Sequence, residues 1–193
     1  KYSNTYELPM SLITFLNEKA PLLCGTTKVI EMGSGAGCIR DSLNFLDREC
    51  EYTCLDISEN AINYAREHNL SNATYLINSI FDFKPSDKFD LIIDSHLFHC
   101  LEGENEINQY LETVNSVLED EGLFVVETMV ASKDFLNSSN DYRNNEKYFV
   151  DGEFNRTLFT HKKIEEILLL SDFDITFLSF PVGLKMILDS KRS

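Results

Sequence analysis

The chain has 193 residues and carries 32 acidic against 17 basic side chains, a formal net charge of −15. That balance repels a polyanion before contact and argues against a nucleic-acid substrate. No apolar run reaches the length of a membrane span and no basic-then-apolar leader opens the sequence, which predicts neither membrane insertion nor export. Because Lys1 stands where an initiator methionine would, further N-terminal residues are expected. The length fits a single domain over 1–193, able to bury roughly 70% of its unfolded surface without a disulfide or metal. Five cysteines, Cys24, Cys38, Cys50, Cys54 and Cys100, lie mostly in apolar or strand-like stretches, and their odd number predicts reduced thiols in a cytoplasmic protein. Cys50 and Cys54, four apart along an extended strand, are too distant to bridge.

Pro9 suits a first helical turn and predicts a helix that buries Leu12, Phe15 and Leu16. A strand over 28–32 ends with Glu31 and runs into Gly33-Ser34-Gly35-Ala36-Gly37. Alternate glycines let the backbone turn sharply and leave a bare surface on which a ligand can lie. The nicotinamide fingerprint G-x-G-x-x-G would place its third glycine at position 38, which is Cys38. Ile39, Leu43 and Leu46 have helical spacing and predict a helix after the turn. A strand over 51–56 then ends in Asp56, about 20 residues past the glycines, where a carboxylate can accept hydrogen bonds from both hydroxyls of an adenosine ribose. Ser58 caps a following helix with Ala61, Ile62 and Ala65 inward and an end near Asn69. Strands are predicted over 74–78, 89–94 and 122–128. Between the last two, Ile107, Tyr110, Leu111, Val114, Val117 and Leu118 share one helical face.

The stretch 129–160 reads as irregular and aromatic, with Tyr142, Tyr148, Phe149, Phe154 and Phe159, and so as a lid or binding loop. A helix burying Ile164, Ile167 and Leu168 precedes strands over 175–180 and 184–188. Pro181-Val182-Gly183 is too short to carry a crossover and makes that pair antiparallel. The alternation of strands and helices predicts an α/β fold on a parallel sheet.

Glu31-Met32-Gly33-Ser34-Gly35-Ala36-Gly37, Asp56 beyond it, and Phe89-Asp90-Leu91-Ile92-Ile93-Asp94-Ser95-His96 as a fourth strand together resemble the class I S-adenosylmethionine-dependent methyltransferases, of the small-molecule type, over Tyr6 to Asp189. The resemblance implies a Rossmann-like three-layer αβα sandwich whose seven-stranded, mostly parallel sheet has one antiparallel C-terminal strand. It implies S-adenosyl-L-methionine as cofactor and S-adenosyl-L-homocysteine as product. Gly33, Ser34, Gly35 and Gly37 would carry the cofactor, Asp56 its ribose, and Ile57 one adenine face. Ser79 stands where relatives usually place an aspartate on the adenine amine; Asn78 and the amide of Ile80 are the other readers, or these polar residues simply end the strand. Asp94 and Ser95 fall beneath the sulfonium, Glu31 organises the glycine turn, and Tyr6, with Tyr2, closes over the cofactor.

Transfer from a sulfonium is an in-line displacement with a neutral leaving group, so alignment and exclusion of water do most of the work and a base is optional. His99 and His96 follow the fourth strand and are the candidates for that base. His96 is equally a cofactor-shell residue, and both can simply pack. His96, His99 and Cys100 also invite a zinc reading, but three ligands from one short segment with no matching cluster elsewhere predict no metal. Asp94-Ser95-His96-Leu97 lacks the Asn/Asp-Pro-Pro-aromatic sequence of nucleobase and protein-glutamine methyltransferases, which favours a small-molecule acceptor. Arg143 and Arg156 are either partners for an acceptor carboxylate or phosphate, or solvated surface cations. Two competing readings stand beside this one: a binding module without turnover, favoured by Ser79, and a nicotinamide oxidoreductase, disfavoured by the glycine spacing. The acceptor, the methylated atom and the oligomeric state are open.

Overall fold

A run of Val, Ile and Met at β1 (Lys28–Met32) sets the centre of the main sheet, because a strand flanked on both sides and covered on both faces has no polar side to present. The computed structural model describes residues 9–23, 25–68, 72–131, 142–143, 146–171, 173–179 and 185–189. Within them, β1 pairs in parallel with β2 (Glu51–Asp56) on one side and with β4 (Phe89–Asp94) on the other. β3 (Thr74–Ile77) extends the sheet beyond β2 and β5 (Leu118–Glu127) beyond β4, again in parallel.

A second, smaller sheet joins three short antiparallel strands: β6 (Tyr142–Arg143), β7 (Lys147–Val150) and β8 (Glu153–Thr157). An antiparallel C-terminal pair, β9 (Asp174–Ser179) and β10 (Lys185–Asp189), is hydrogen-bonded to the edge of the main sheet through β10, which runs against β5. The hydrogen-bonded order is β3-β2-β1-β4-β5-β10-β9. The order reverses between β1 and β4, which opens a crevice at their carboxyl ends.

Alternation along the strands divides the core between the two faces. Ile30, Met32, Ile92, Phe124 and Val126 pack against α3 (Glu104–Val117) and α4 (His161–Leu170). Val29, Leu91, Ile93 and Val125 pack against α1 (Met10–Glu18) and the segment around Ile39 and Leu43. Each fully buried aliphatic side chain in these clusters contributes about 1.5 to 3 kcal/mol. The remaining helix, α2 (Glu59–His68), buries Ile62 and Ala65, and Ser58 Oγ accepts from the Ala61 amide at its start.

Three expectations are corrected. No α-helix follows the glycine turn; the chain makes only a 3-10 turn at Arg40–Ser42. Ile39 and Leu43 are buried as their spacing implies, but side chains from elsewhere hold the backbone. Asn17 of α1 donates to Ser42 O and accepts from the Asn44 amide, both at 2.8 Å, and Arg40 donates to the carbonyls of Asp47 and Arg48. The stretch 129–160 contains the strands β6 to β8, where Phe149 and Phe154 pair across the ladder with rings 6.2 Å apart.

The third correction is Leu118, which closes the apolar face of α3 but already pairs with Phe89 as the first residue of β5. A register shift then loops out the acidic 119–121, and regular pairing resumes at Leu123. Tyr2, Tyr6, Cys24, Asn69 and Pro181-Val182-Gly183 lie outside the described residues. No described helix is long and apolar enough to cross a membrane.

Candidate functional site

The carboxyl ends of β1, β2 and β4 bring together most of the predicted site. At the end of β1 the backbone turns through Gly33 and Gly35, with φ of +69° and +59°, a region that residues with a side chain rarely adopt. The turn is tied to β2: the amides of Gly33 and Ser34 both donate to Leu55 O, at 2.8 and 3.1 Å. A Cβ on Gly33 would stand 2.8 Å from Leu97 Cβ, so the bare glycine lets the loop after β4 lie directly against the turn. Gly37 donates to Ser34 O at 3.4 Å and closes the loop.

Asp56 ends β2 with both carboxylate oxygens at work. Oδ2 accepts from the Gly35 amide and Oδ1 from the Ser58 amide, each at 2.8 Å. Each oxygen retains a lone pair, so the half-exposed carboxylate can still receive the hydroxyls of a ribose. Beside it Ile57 is 74% exposed, a large aliphatic side chain with nothing covering it, and Ile77 is also exposed. Asn78 is exposed and its amide donates to Asp56 O at 3.1 Å; Ile80 is buried. Ser79 turns its hydroxyl back on its own chain, accepting from the Phe81 amide at 3.3 Å. Exposed apolar surface of Ile57 and Ile77 thus stands beside a carboxylate, a combination suited to a flat heterocycle carried on a diol.

Glu31 is fully buried beneath the turn, on the opposite side of β1 from Met32. Its Oε2 accepts from Tyr52 Oη at 3.0 Å and from the Ile39 amide at 3.3 Å, while Oε1 is buried without a partner. It also lies within metal-ligand range of the Cys38 and Cys54 sulfurs, all three ligand atoms falling within 4.8 Å of one another. Desolvation, reinforced by Cys38, raises its pKa to about 8 against the opposing bonds from Tyr52 and Ile39. The proton belongs on Oε1, since Oε2 already accepts from Tyr52, the Ile39 amide and, at 4.0 Å, the Cys54 thiol. The folded pKa thus exceeds the unfolded one, and stability drawn from the neutral carboxyl is complete below pH 4.5 and lost as pH rises through about 8. Across that window Glu31 contributes a downward slope of at most about 1.4 kcal/mol per pH unit. Glu31→Gln is expected to remove this slope, read as a flatter dependence of the urea midpoint on pH than in the parent protein.

Asp94 ends β4 and is also fully buried. Oδ1 accepts from the amides of His96 and Leu97 at 2.9 and 2.6 Å, and Oδ2 from Tyr110 Oη of α3 at 2.9 Å. Burial raises its pKa to about 6, opposed by these same bonds. The carboxylate therefore anchors the loop from within, and what it leaves to the crevice is main chain. Ser95 is buried beside it. His96 is exposed and holds φ at +148°, a strained value for a residue with a side chain.

His99, on the 3-10 turn Phe98–Cys100, is 1% exposed. Its Nδ1 accepts from the Met129 amide at 3.2 Å and lies 3.2 Å from Thr128 Oγ1, which places the ring proton on Nε2. Burial first, then Arg156 and His96, lowers its pKa to about 3. His99 thus has neither the free lone pair nor the basicity of the general base that its position in the sequence had indicated. Its ring meets that of His96 edge-on at 5.5 Å, and Cys100 Sγ is turned to His96 O, so the three potential zinc ligands do not converge.

Sequence reasoning missed the second partners: Tyr52 on Glu31, Tyr110 on Asp94, and Thr128 with the Met129 amide on His99. Tyr110 carried a usable signal, since a tyrosine on the inward face of a helix needs an acceptor for its hydroxyl.

A family model described as a methyltransferase domain matches residues 25–174. An uncharacterized methyltransferase of Staphylococcus carnosus is 27% identical over 134 residues, 69% of this chain and 62% of that protein, so the chain spans less than two thirds of this relative. The structure of an S-adenosylmethionine-dependent methyltransferase from Clostridium acetobutylicum superposes with a TM-score of 0.73 at 13% identity, covering 96% of this chain and 92% of that one. A Burkholderia thailandensis 1,6-didemethyltoxoflavin N1-methyltransferase, crystallised with that substrate and S-adenosylhomocysteine, has a TM-score of 0.67 at 18% identity over 94% of this chain and 76% of its own. At these identities the structural likenesses speak to the fold.

Proposed function

Starting from the chain's membership of the methyltransferase-domain family, established by the match over residues 25–174, we propose that it transfers the methyl group of S-adenosylmethionine to a small-molecule acceptor by in-line displacement. The observation that carries this reading is the joint placement of the Gly33–Gly37 turn and Asp56: one amide of the turn already rests on the carboxylate, which keeps lone pairs free beside the exposed Ile57. In this proposal the turn carries the methionine portion, Asp56 the ribose, and Ile57 with the segment 78–80 the adenine. Asp94 and Glu31 act by holding the two loops, and Tyr6 belongs to the same assignment as a closing residue. The S-adenosylhomocysteine and small heterocycle bound by the Burkholderia relative support a compact acceptor. A single domain over 1–193, a three-layer αβα sandwich on a seven-stranded sheet with only β10 reversed, and a cytoplasmic location without nucleic-acid partners complete the proposal.

Calorimetric titration with S-adenosylmethionine and S-adenosylhomocysteine, with NADH as control, tests it. Micromolar binding of the first two and none of NADH is expected. Binding of NADH alone would replace the proposal with a redox reading, and binding of none of the three would leave the fold without this chemistry. Cofactor binding without turnover on a broad acceptor panel would favour the non-catalytic alternative, for which the self-satisfied Ser79 hydroxyl is the supporting feature.

A further inference from the structure

Around the 3-10 turn Phe98–Cys100, two groups are left with hydrogen-bonding capacity that the protein does not use. The first is the His99 Nε2–H, a donor buried with no partner, its ring fixed from the other side by Met129 and Thr128. A buried donor left unpaired is costly, and in a well-packed site its presence points to a group that arrives later. The second is the Arg156 guanidinium on β8, half-buried and in no ion pair among the described residues. Strand β8 is seated on the same turn by its next residue: Thr157 Oγ1 donates to Leu101 O at 2.6 Å and accepts from the Gly103 amide at 2.8 Å. The Arg156 charge accordingly bears on His96, His99 and Cys100 alike.

The same geometry removes the buried one of the two candidate bases and leaves only the exposed His96. His99 has no lone pair left to take a proton, because Nδ1 is occupied by the Met129 amide. A hydroxyl or ammonium acceptor has to lose a proton as it is methylated, whereas an acceptor that arrives as an anion does not. In a chain of net charge −15, an anion enters only where a local cation receives it.

We propose that the acceptor is an oxyanion, a carboxylate or phosphonate, held by the Arg156 guanidinium and the His99 Nε2–H; this rests on the methyl-transfer reading given above. One oxygen is held by the guanidinium fork while another attacks the methyl carbon. As the new O–CH3 bond forms, the S–CH3 bond breaks and its electron pair passes to sulfur. One negative charge of the acceptor and the positive charge of the sulfonium cancel, leaving a thioether and a methyl ester, neutral from a carboxylate and still singly charged from a phosphonate dianion. No proton moves.

The test follows the histidine ring signals by nitrogen–proton NMR in protein saturated with S-adenosylhomocysteine, while acetate, methylphosphonate or neutral acetamide is added. The two anions are expected to shift the His99 Nε2–H signal saturably and acetamide to leave it in place. Whichever anion saturates at the lower concentration identifies the class. Arg156→Gln should weaken anion binding about tenfold or more, and Arg156→Lys, which keeps the charge and loses the fork, should fall between. Affinity for S-adenosylhomocysteine, measured calorimetrically, should be the same in all three proteins. A His99 signal indifferent to both anions, or one that responds equally in Arg156→Gln, overturns the proposal while cofactor binding leaves methyl transfer standing. Failure of the parent protein to bind S-adenosylhomocysteine brings down the methyl-transfer reading itself, and the oxyanion proposal with it.

Discussion

Asp94→Ala is expected to destabilise the protein by about 3 kcal/mol or more. The carboxylate is the acceptor for three buried or half-buried donors, the amides of His96 and Leu97 and the phenol of Tyr110. Alanine leaves all three without a partner at a fully buried point, and each unsatisfied group costs about 1 to 3 kcal/mol. The His96 backbone, at φ +148°, is held there by this same acceptor, so the loop is expected to relax and carry His99 with it.

Asp94→Asn is the informative control, because its oxygen can still serve the two amides. Its cost should be about 1 kcal/mol near neutral pH and should depend on pH. The folded pKa of Asp94, about 6, lies above the ordinary 3.8, so the contribution of its neutral form is complete below 3.8 and lost as pH rises through about 6. The amide does not titrate, so the stability difference between the parent and Asp94→Asn should move in favour of the variant across that interval. Urea denaturation at several pH values measures both effects. An alanine variant as stable as the parent would show that Asp94 does not hold the loop.

Asp56→Ala is expected to weaken S-adenosylhomocysteine binding by about 1.5 to 3 kcal/mol, the worth of hydrogen bonds to a charged acceptor. Two causes add. The ribose loses its partner, and the Gly35 amide, which rests on Oδ2, loses the contact that shapes the glycine turn. Asp56→Asn separates them in part, since its single oxygen can keep the Gly35 amide and the turn while the Ser58 amide loses its acceptor and the ribose loses the charge-assisted part of its contact. The order of affinities should be parent, then asparagine, then alanine, with the thermal midpoint of the asparagine variant between those of the parent and the alanine variant. Unchanged affinity in the alanine variant would remove Asp56 from the ribose.

The parts of this molecule that were legible in the sequence are those in which one residue type answers to one local demand. Alternate glycines marked the turn, the strands around 28–32, 51–56 and 89–94 followed from their β-branched and aromatic content, and Ser58 was legible as the cap of the helix that follows it. Where the answer depended on a distant side chain, the sequence was silent or misleading. Ile39, Leu43 and Leu46 have helical spacing, yet Asn17, more than twenty positions upstream, supplies the hydrogen bonds that hold the segment out of a helix. His99 looked like a base because of its type and position; a backbone amide thirty residues away determines which of its nitrogens keeps a proton. The small sheet of β6 to β8 escaped notice because its strands are short and their pairing is specified by aromatic contacts across the ladder rather than by regular alternation.

The contact between Gly33 and Leu97 also bears on how such a chain can evolve. Two separate barriers guard position 33: the Leu97 side chain fills the space a Cβ would need, and the positive φ penalises any residue that has one. A prior change of Leu97 to alanine would leave both in place, because the atom that stands 2.8 Å away is Leu97 Cβ, which alanine retains. Lineages that lose the leucine would thus gain little freedom at the glycine, and Leu97 is itself held by its packing against the core, so substitution histories at the two sites should both be narrow.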